Sequence, residues 1–270
     1  MPATLSPLTS TAPVLIALHS SGAGGRQWDA WRRLPPHGAT WHTPDLIGYG
    51  AGAIWLPGAT LELDTEALGL VGLLQSAPAG VHLVGHSYGG SVALQLALRW
   101  PQHVRSLTVY EPVRFALLRD GDGRDRRLFE DIVAVGREIG ARVLQGRGRD
   151  AAALFIDYWS SEGSWAALSP SRQDAVVARM PKVRAEFEAL FGDPLRLSDF
   201  RRLELPVRLL CGTRSPAPAL RVTERLAQTL PDARLERLDG LGHLGPIEAP
   251  QRVAAHMAVH DAWAGMGLAA

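Results

Sequence analysis

The sequence predicts an α/β fold with a mostly parallel central sheet of about six to eight strands, helices on both faces and an inserted all-helical cap. Three observations support this prediction. Short apolar runs such as Val14–Leu18 alternate with helical stretches, which is typical of a parallel sheet covered by helices. An apolar run, a glycine-rich turn and an apolar helical stretch follow each other directly around residue 87. Residues 113–203 have the pattern of helices with no strand between them.

The composition is that of an ordinary globular protein. The 270 residues are 46% hydrophobic and 20% charged, and the net charge of +1 gives no indication of a nucleic-acid or membrane partner. Cys211 is the single cysteine, so a disulfide within the chain is excluded, which favours a reducing compartment. Because Cys211 lies in an apolar run, we expect it to pack within a strand. Residues 1–13 lack the pattern of a signal peptide, and no apolar stretch is long enough to span a bilayer. We therefore expect a cytoplasmic protein, and the oligomeric state is not indicated.

The first half of the chain contains four of the predicted strands. The run at residues 14–18 is continuously apolar and that at residues 81–84 is mostly apolar. Predicted helices separate the strands, and the helix at residues 61–75 has apolar residues on one face. Proline and glycine residues mark the boundaries, as Pro101 does after the third helix. The predicted strands are residues 14–18, 39–43, 81–84 and 104–110, and the predicted helices are residues 26–34, 61–75 and 91–100.

The alternation stops at the insertion and resumes after it. We expect residues 1–112 and 204–270 to form one α/β core, and residues 113–203 to be an all-helical insertion. Within the insertion the predicted helices are residues 125–145, 150–160 and 171–191. After it the predicted strands are residues 207–212 and 233–238, and the predicted helices are residues 217–230 and 246–263, the last interrupted near its start by Pro250.

A strand–turn–helix motif covers residues 81–93, with the sequence G-H-S-Y-G-G at residues 85–90. A lone G-x-S-x-G can be an ordinary turn, but here a strand precedes it and a helix follows, as a nucleophile elbow requires. The glycines allow a tight turn and a close helix, which presents the Ser87 hydroxyl at the positive end of that helix. At this motif the chain resembles the α/β-hydrolase superfamily.

The resemblance extends to the loop at residues 19–25, which follows the first predicted strand. In the family this loop and the residue after the nucleophile hold the oxyanion, which implies the backbone N–H groups of Ser21 and Tyr88. Ser20 stands where the family has glycine and is a candidate for substrate contact. A phosphate-binding loop is the alternative, but the lysine and the spacing of such loops are missing.

The resemblance implies a triad in the order serine, acid, histidine. His243 follows the last predicted strand in D-G-L-G-H, in the position of the general base. The acid usually follows the strand after the insertion, but Ser215 stands there and cannot carry the charge. Glu111 is the first polar residue after strand 104–110, at its carboxyl end, where sites in open α/β sheets gather. Some family members take their acid from this strand end, so Glu111 is the expected acid.

Other interpretations of the acidic residues stay open. Glu111 could instead begin the insertion as a cap residue or pair with an arginine such as Arg114. Asp45 is expected to organise the loop around it and is a lesser candidate for the triad acid, as is Asp239.

The resemblance also implies that the insertion is a cap, which excludes water and shapes the substrate pocket. Trp159 and Trp165 lie in it and are candidates for substrate contact, although aromatic residues on such helices are more often plain core. Ahead of Val14 there is room for at most a short strand. The two leading antiparallel strands of the family sheet are therefore expected to be shortened or absent.

The leading hypothesis is a serine hydrolase that cleaves a carboxylic ester, lactone or thioester of a small molecule. One alternative keeps the triad and cleaves a carbon–carbon bond beside a ketone. Another is a non-catalytic binding protein on the same scaffold, for which the missing acid at Ser215 is the only support. A dehalogenase or epoxide hydrolase would need a carboxylate in place of Ser87. We expect no cofactor and no metal, and the sequence does not indicate the natural substrate.

Overall fold

Six parallel strands form one sheet in the computed structural model, which describes residues 12–34 and 38–257. The strand order is β2–β1–β3–β4–β5–β6 and every neighbouring pair is parallel, so the predicted fold class is confirmed. The region ahead of residue 12 and the predicted end of the last helix lie outside the described residues. The strands are β1 (Val14–Leu18), β2 (Thr40–His42), β3 (Val81–His86), β4 (Val104–Tyr110), β5 (Val207–Gly212) and β6 (Ala233–Leu238).

Helices follow the strands as the alternating pattern predicts. Three of them, α3, α4 and α5, are consecutive and stand between β4 and β5. Among the described residues, no helix is long and apolar enough to cross a membrane. The α-helices are α1 (Leu63–Gln75), α2 (Tyr88–Arg99), α3 (Gly123–Leu144), α4 (Gly148–Trp159), α5 (Pro170–Gly192), α6 (Ala217–Thr229), α7 (Gly245–Glu248) and α8 (Pro250–Ala254).

Two predicted helices differ from the structure. The helix predicted at residues 26–34 is a pair of short 3-10 helices, Gly25–Trp28 and Trp31–Arg33. Their tryptophans are buried and in edge contact, so tertiary packing overrides the helical pattern. The last predicted helix is broken into α7 and α8, because Pro250 lacks the N–H that would continue α7 and instead starts α8.

The sheet is buried on both faces because successive side chains of a strand point to opposite sides. In β1, Ile16 and Leu18 belong to one apolar cluster, which includes residues of α1, α2, α6 and the helices after β4. Leu15 and Ala17 belong to a second cluster, with residues of the two short 3-10 helices and of α8. The continuous apolar run of β1 is therefore the pattern of a strand covered on both faces.

A buried ion pair joins the residues just after β4 to the residues just after α5. Arg114 follows β4 and is fully buried, and its guanidinium lies 2.6 Å from the carboxylate of Asp193, just after α5. The Arg114 side chain also donates to Gln95 in α2. The segment that contains α3, α4 and α5 is thus attached beside the carboxyl ends of the strands, where loops of parallel sheets form sites.

Candidate active site

A sharp turn between β3 and α2 carries Ser87. Its φ of 54° and ψ of −118° form a backbone conformation that non-glycine residues rarely adopt. Close packing explains the flanking glycines, because a Cβ at Gly85 would lie 2.6 Å from the Cα of Gly90, and a Cβ at Gly89 would lie 2.3 Å from the carbonyl oxygen of Leu18. The turn holds the Ser87 side chain at the wall of a cavity and at the N-terminus of α2.

The imidazole of His243 lies against the Ser87 hydroxyl. His243 is in the loop after β6, is 3% exposed, and places Nε2 at 2.9 Å from Ser87 Oγ. This is the hydrogen-bond distance that a serine nucleophile and its general base require. The indole of Trp159, at the end of α4, packs on the imidazole with 4.1 Å between ring centroids and 31° between ring planes. The imidazole is therefore in contact with Ser87 on one side and with α4 on another.

The carboxylate of Glu111 lies on the other nitrogen of this imidazole. Glu111 follows β4 with a φ of 46°, and its backbone N–H donates to Leu210 in β5. Its Oε2 is 2.6 Å from His243 Nδ1, and the side chain is fully buried. Its Oε1 accepts from the N–H of Gly212 at 2.7 Å and from the hydroxyl of Ser215 at 2.5 Å. Three hydrogen bonds, one to Oε2 and two to Oε1, thus fix the orientation of the carboxylate.

The structure does not show the contacts that the alternative interpretations of the acidic residues require. Glu111 does not pair with Arg114, since Arg114 binds Asp193 instead. The carboxylate of Asp45 accepts two backbone N–H groups of the surrounding loop, at 2.7 and 2.9 Å. Asp239 accepts from a threonine hydroxyl in the turn after β5. Of these acids, Glu111 has the hydrogen bond to the base.

The sequence does not predict the part that Ser215 has in this network. Its lack of charge argues only against an acid at that position. The structure shows a hydroxyl donor in the same place, bonded to the carboxylate that comes from the neighbouring strand. The available signal was the position itself, because the turns after β4 and β5 meet at one edge of the sheet.

We expect Ser215→Ala to lower kcat by about tenfold, because a hydrogen bond to a charged group contributes about 1.5–3 kcal/mol and the Gly212 N–H remains in place. Steady-state hydrolysis of an activated ester measures this. Thr213→Ala is the matched control, since that hydroxyl lies in the same turn and donates to Asp239. Equal kcat values for the two variants would remove Ser215 from the network.

Two backbone N–H groups beside Ser87 are available to hold an oxyanion. Tyr88 is the first residue of α2, where the N–H groups have no partner within the helix. In the loop after β1, both neighbours of Ser21 have engaged N–H groups, one bonded to the side chain of Gln27 and the other to the hydroxyl of Tyr49. Within the described part of the chain, the N–H groups of Ser21 and Tyr88 have no acceptor.

A hydrogen-bonded bridge links the Ser21 loop to the His243 loop. Gln27 accepts from the hydroxyl of Ser20 at 2.9 Å and its amide donates to Nδ1 of His86 at 3.1 Å. The Nε2–H of His86 donates to the backbone carbonyl of His243 at 2.8 Å. Burial, with a contribution from nearby His243, keeps the pKa of His86 well below its ordinary value, so this ring stays neutral. His86, the variable residue of the G-x-S-x-G motif, therefore holds the loop that carries His243.

A cavity of about 160 Å³ opens beside Ser87 and His243, and most of its wall is apolar. Ser20, Ser21 and Ser160 are polar residues of its lining, together with Ser87 and His243. Trp165 lies outside the lining and packs at the margin of the first apolar cluster. Within the described residues, no lysine, arginine, aspartate or glutamate lines it. The apolar wall includes Val113, Phe115, Phe155, Trp159, Phe187 and Leu190.

The described residues contain no group of three or more His, Cys, Asp or Glu side chains that could hold a metal ion. Cys211 is buried in β5, and burial raises the pKa of its thiol to about 12. This thiol therefore stays protonated near neutral pH.

Comparisons with known proteins are consistent with this geometry. A family model described as the alpha/beta hydrolase family matches residues 15–256. The chain is 28% identical to a pimeloyl-[acyl-carrier protein] methyl ester esterase of Aromatoleum aromaticum, over 90% of this chain and 95% of that protein. It is 26% identical to a 2-hydroxy-6-oxo-2,4-heptadienoate hydrolase of Pseudomonas putida, over 87% of this chain and 83% of the relative.

Solved structures show the same fold. A thermophilic esterase from Thermogutta terrifontis superposes with a TM-score of 0.72 at 21% identity, covering 97% of this chain and 92% of that one. A hydrolase from Pseudomonas aeruginosa also gives 0.72, at 23% identity, with coverage of 95% and 90%.

Proposed function

The chain belongs to the alpha/beta hydrolase family and is an enzyme of that fold, and we propose that it is a serine hydrolase that cleaves a carboxylic ester, lactone or thioester. One observation carries the proposal. A continuous hydrogen-bonded path runs from the Ser87 hydroxyl through both nitrogens of His243 to the carboxylate of Glu111. A serine hydroxyl becomes a useful nucleophile when a base takes its proton and an acid orients that base.

In the first step, His243 takes the proton of Ser87 as the hydroxyl oxygen attacks the substrate carbonyl. The carbonyl oxygen becomes an oxyanion, which accepts hydrogen bonds from the N–H groups of Ser21 and Tyr88. Glu111 stabilises the imidazolium and keeps the Nδ1 proton in place. The imidazolium then donates its Nε2 proton to the leaving alcohol or thiol, and the acyl group remains on Ser87.

In the second step, His243 takes a proton from water, whose oxygen attacks the acyl-enzyme carbonyl. The same two N–H groups hold the new oxyanion. Collapse of this intermediate releases the carboxylic acid and returns the proton from His243 to Ser87. The chemistry uses groups of this chain and water alone.

We propose that residues 113–203 act as a cap on a core of residues 1–112 and 204–270. The three long helices of this segment, and the absence of a strand from it in the structure, support the division. The segment also supplies most of the apolar wall of the cavity, including Phe155 and Trp159. Such a cover excludes water from the site and gives the cavity its shape.

The cavity favours a neutral, compact acyl group. Its volume of about 160 Å³ is close to that of an apolar cavity of about 150 Å³ that holds benzene, so we propose an acyl chain of roughly four to six carbons or a single ring. The Aromatoleum aromaticum relative is by name a methyl ester esterase, which supports the ester as the bond cleaved.

The carbon–carbon hydrolase with the same triad is the second candidate, favoured by the Pseudomonas putida relative. The substrate in that relative's name is a carboxylate, and burying a carboxylate requires a cation or several donors. The lining of this cavity has no cationic side chain among the described residues, which favours the ester. A non-catalytic binding protein would not need Ser87 at hydrogen-bond distance from an oriented base.

A fluorophosphonate probe tests the proposed nucleophile directly. We expect the native protein to form one covalent adduct on Ser87, located by mass spectrometry of the digested protein. The heat-unfolded protein is expected to remain unlabelled, because an isolated serine hydroxyl is a weak nucleophile. An unlabelled native protein that hydrolyses no activated ester would refute the serine hydrolase.

We expect p-nitrophenyl esters to show the highest kcat/KM at about four to six acyl carbons, and a carboxylate at the end of the chain to abolish that preference. Trp159→Ala is expected to move the optimum to longer chains and to raise KM for short esters about tenfold, because it removes an aromatic contact from the wall. Trp165→Ala is the matched control, since this tryptophan of the same segment lies outside the cavity. An unchanged optimum in Trp159→Ala would contradict the placement of the acyl group.

A further inference from the structure

Lys182 is the single lysine of the chain. The other 27 of its 28 lysine and arginine residues are arginine. It lies in α5, within the inserted segment, yet its side chain is only 4% exposed. Lysine is almost never fully buried unless it is paired. The protein therefore places its one lysine ammonium group in the contact between α5 and α1.

Two buried carboxylates hold this ammonium group. The Nζ of Lys182 is 2.9 Å from Oε1 of Glu66 in α1 and 3.0 Å from Oε1 of Glu186 in α5, and both carboxylates are 1% exposed. Burial favours a lower pKa for Lys182, but the two carboxylates outweigh it and raise that pKa above its ordinary value. The ion pair with Glu66 joins the inserted segment to the core.

Two tyrosine rings form the next layer of this cluster. The Lys182 ammonium lies 5.2 Å from the ring centroid of Tyr49 and 5.3 Å from that of Tyr88, within cation–π range. The Tyr88 hydroxyl donates to Glu66 at 3.3 Å. Burial and, after it, the nearby negative charge of Glu186 raise the pKa of Tyr49 well above its ordinary value. The lysine stem is also tightly packed, since a Cβ at Gly48 would lie 3.1 Å from its Cε.

Both tyrosines lead to the proposed oxyanion hole. Tyr49 accepts the N–H of Gly22 at 2.9 Å, which fixes the loop one residue after Ser21. Tyr88 itself supplies the other N–H, at the start of α2. The cluster of Lys182, Glu66, Glu186, Tyr49 and Tyr88 thus contacts both sides of the hole and does not line the cavity.

We propose that Lys182 is a positioning residue for the oxyanion hole, and this inference rests on the proposed hydrolase function. The ammonium group lies against both phenol rings and fixes the Glu66 carboxylate, which accepts from the Tyr88 hydroxyl. The two tyrosines in turn hold the N–H groups of Ser21 and Tyr88 where the oxyanion develops. Because the ammonium comes from α5, the hole is complete only when the inserted segment is seated on the core. A displacement of about 1 Å at such donors is enough to lower turnover strongly.

The test compares three variants with the wild type. Lys182→Arg keeps the charge in a larger planar group that does not fit between the rings. A triple variant, called the neutral variant, combines Lys182→Met, Glu66→Gln and Glu186→Gln. It removes all three charges together, because loss of the ammonium alone would leave two buried carboxylates uncompensated. Arg184→Met is the matched control, since Arg184 lies in the same helix and forms an exposed ion pair with Glu188.

The readouts are kcat, KM, the rate of fluorophosphonate labelling and the near-UV circular dichroism. We expect the neutral variant and Lys182→Arg to lose roughly 10- to 100-fold in kcat and labelling rate, with KM within about threefold. This is less than the roughly 100- to 1,000-fold that complete loss of one oxyanion donor causes, because the donors are displaced and not removed. Arg184→Met is expected to match the wild type. If Lys182 had a purely structural role, its replacement would change the dichroism and the melting temperature. It would not lower kcat selectively while KM stays nearly constant.

A folded neutral variant with wild-type kcat would overturn the proposal. If that variant does not fold, Lys182→Arg decides by the same criterion. The outcome is distinguishable from a failure of the proposed function, because in that case the wild type itself would not be labelled at Ser87.

Discussion

Replacement of Ser87 by alanine is expected to lower ester hydrolysis by about six orders of magnitude and to abolish fluorophosphonate labelling. The reason is chemical, since no other hydroxyl among the described residues lies at 2.9 Å from His243 Nε2. The strained turn at this residue is independent of the hydroxyl, so the fold is expected to persist. Stopped-flow or long-term ester assays, combined with circular dichroism, measure both parts of this expectation.

Two companion variants make the result specific. His243→Ala is expected to lose about as much activity as Ser87→Ala, and the double variant no more than either, because nucleophile and base act as one unit. Ser91→Ala is the control, as this serine is buried one turn further along the same helix. Additive losses in the double variant would show that the two residues do not act together.

Replacement of Glu111 by glutamine is expected to lower kcat by about 10⁴-fold with the fold intact, because the amide presents a donor to the ring nitrogen and favours the wrong imidazole tautomer. The Gly212 N–H and Ser215 hydroxyl, which now donate to the carboxylate, would still find the amide oxygen. Assays at saturating ester concentration measure the loss, and thermal unfolding measures the integrity of the fold.

The neighbouring position offers a sharper test of where the charge is needed. Ser215 lies against Glu111, at the place where the family usually has its acid. We therefore expect the double variant Glu111→Gln, Ser215→Asp to have a kcat at least about tenfold higher than that of Glu111→Gln alone. Full activity of Glu111→Gln alone would refute this acid. Failure of the second substitution to restore activity would show that a carboxylate at position 215 cannot orient the base.

Much of the sheet could be predicted because strands buried on both faces have a simple pattern. Apolar runs such as β1 and β4 have the predicted bounds, and β3 extends two residues further, to His86. The errors lie where long-range contacts decide the local structure. The short 3-10 helices after β1 depend on two tryptophans packed under the sheet, and the break at Pro250 depends on a missing N–H.

The site could be predicted where topology alone brings residues together. Ser87, Glu111 and His243 each follow the carboxyl end of a parallel strand, so their proximity follows from the strand order. The contributions of Ser215 and Gln27 depend on side-chain directions in turns, which the sequence pattern does not specify. For the same reason, helical periodicity could not distinguish a tryptophan that lines the cavity from one that does not.

The buried position of Lys182 has a practical consequence for chemical modification. While α5 rests on the core, amine-directed reagents such as acetic anhydride or succinimidyl esters encounter no exposed lysine side chain anywhere in the sequence. Acylation of this one side chain would therefore record each departure of the helix from the core. Mass spectrometry of a single peptide, sampled over time, would give the opening rate without any engineered probe.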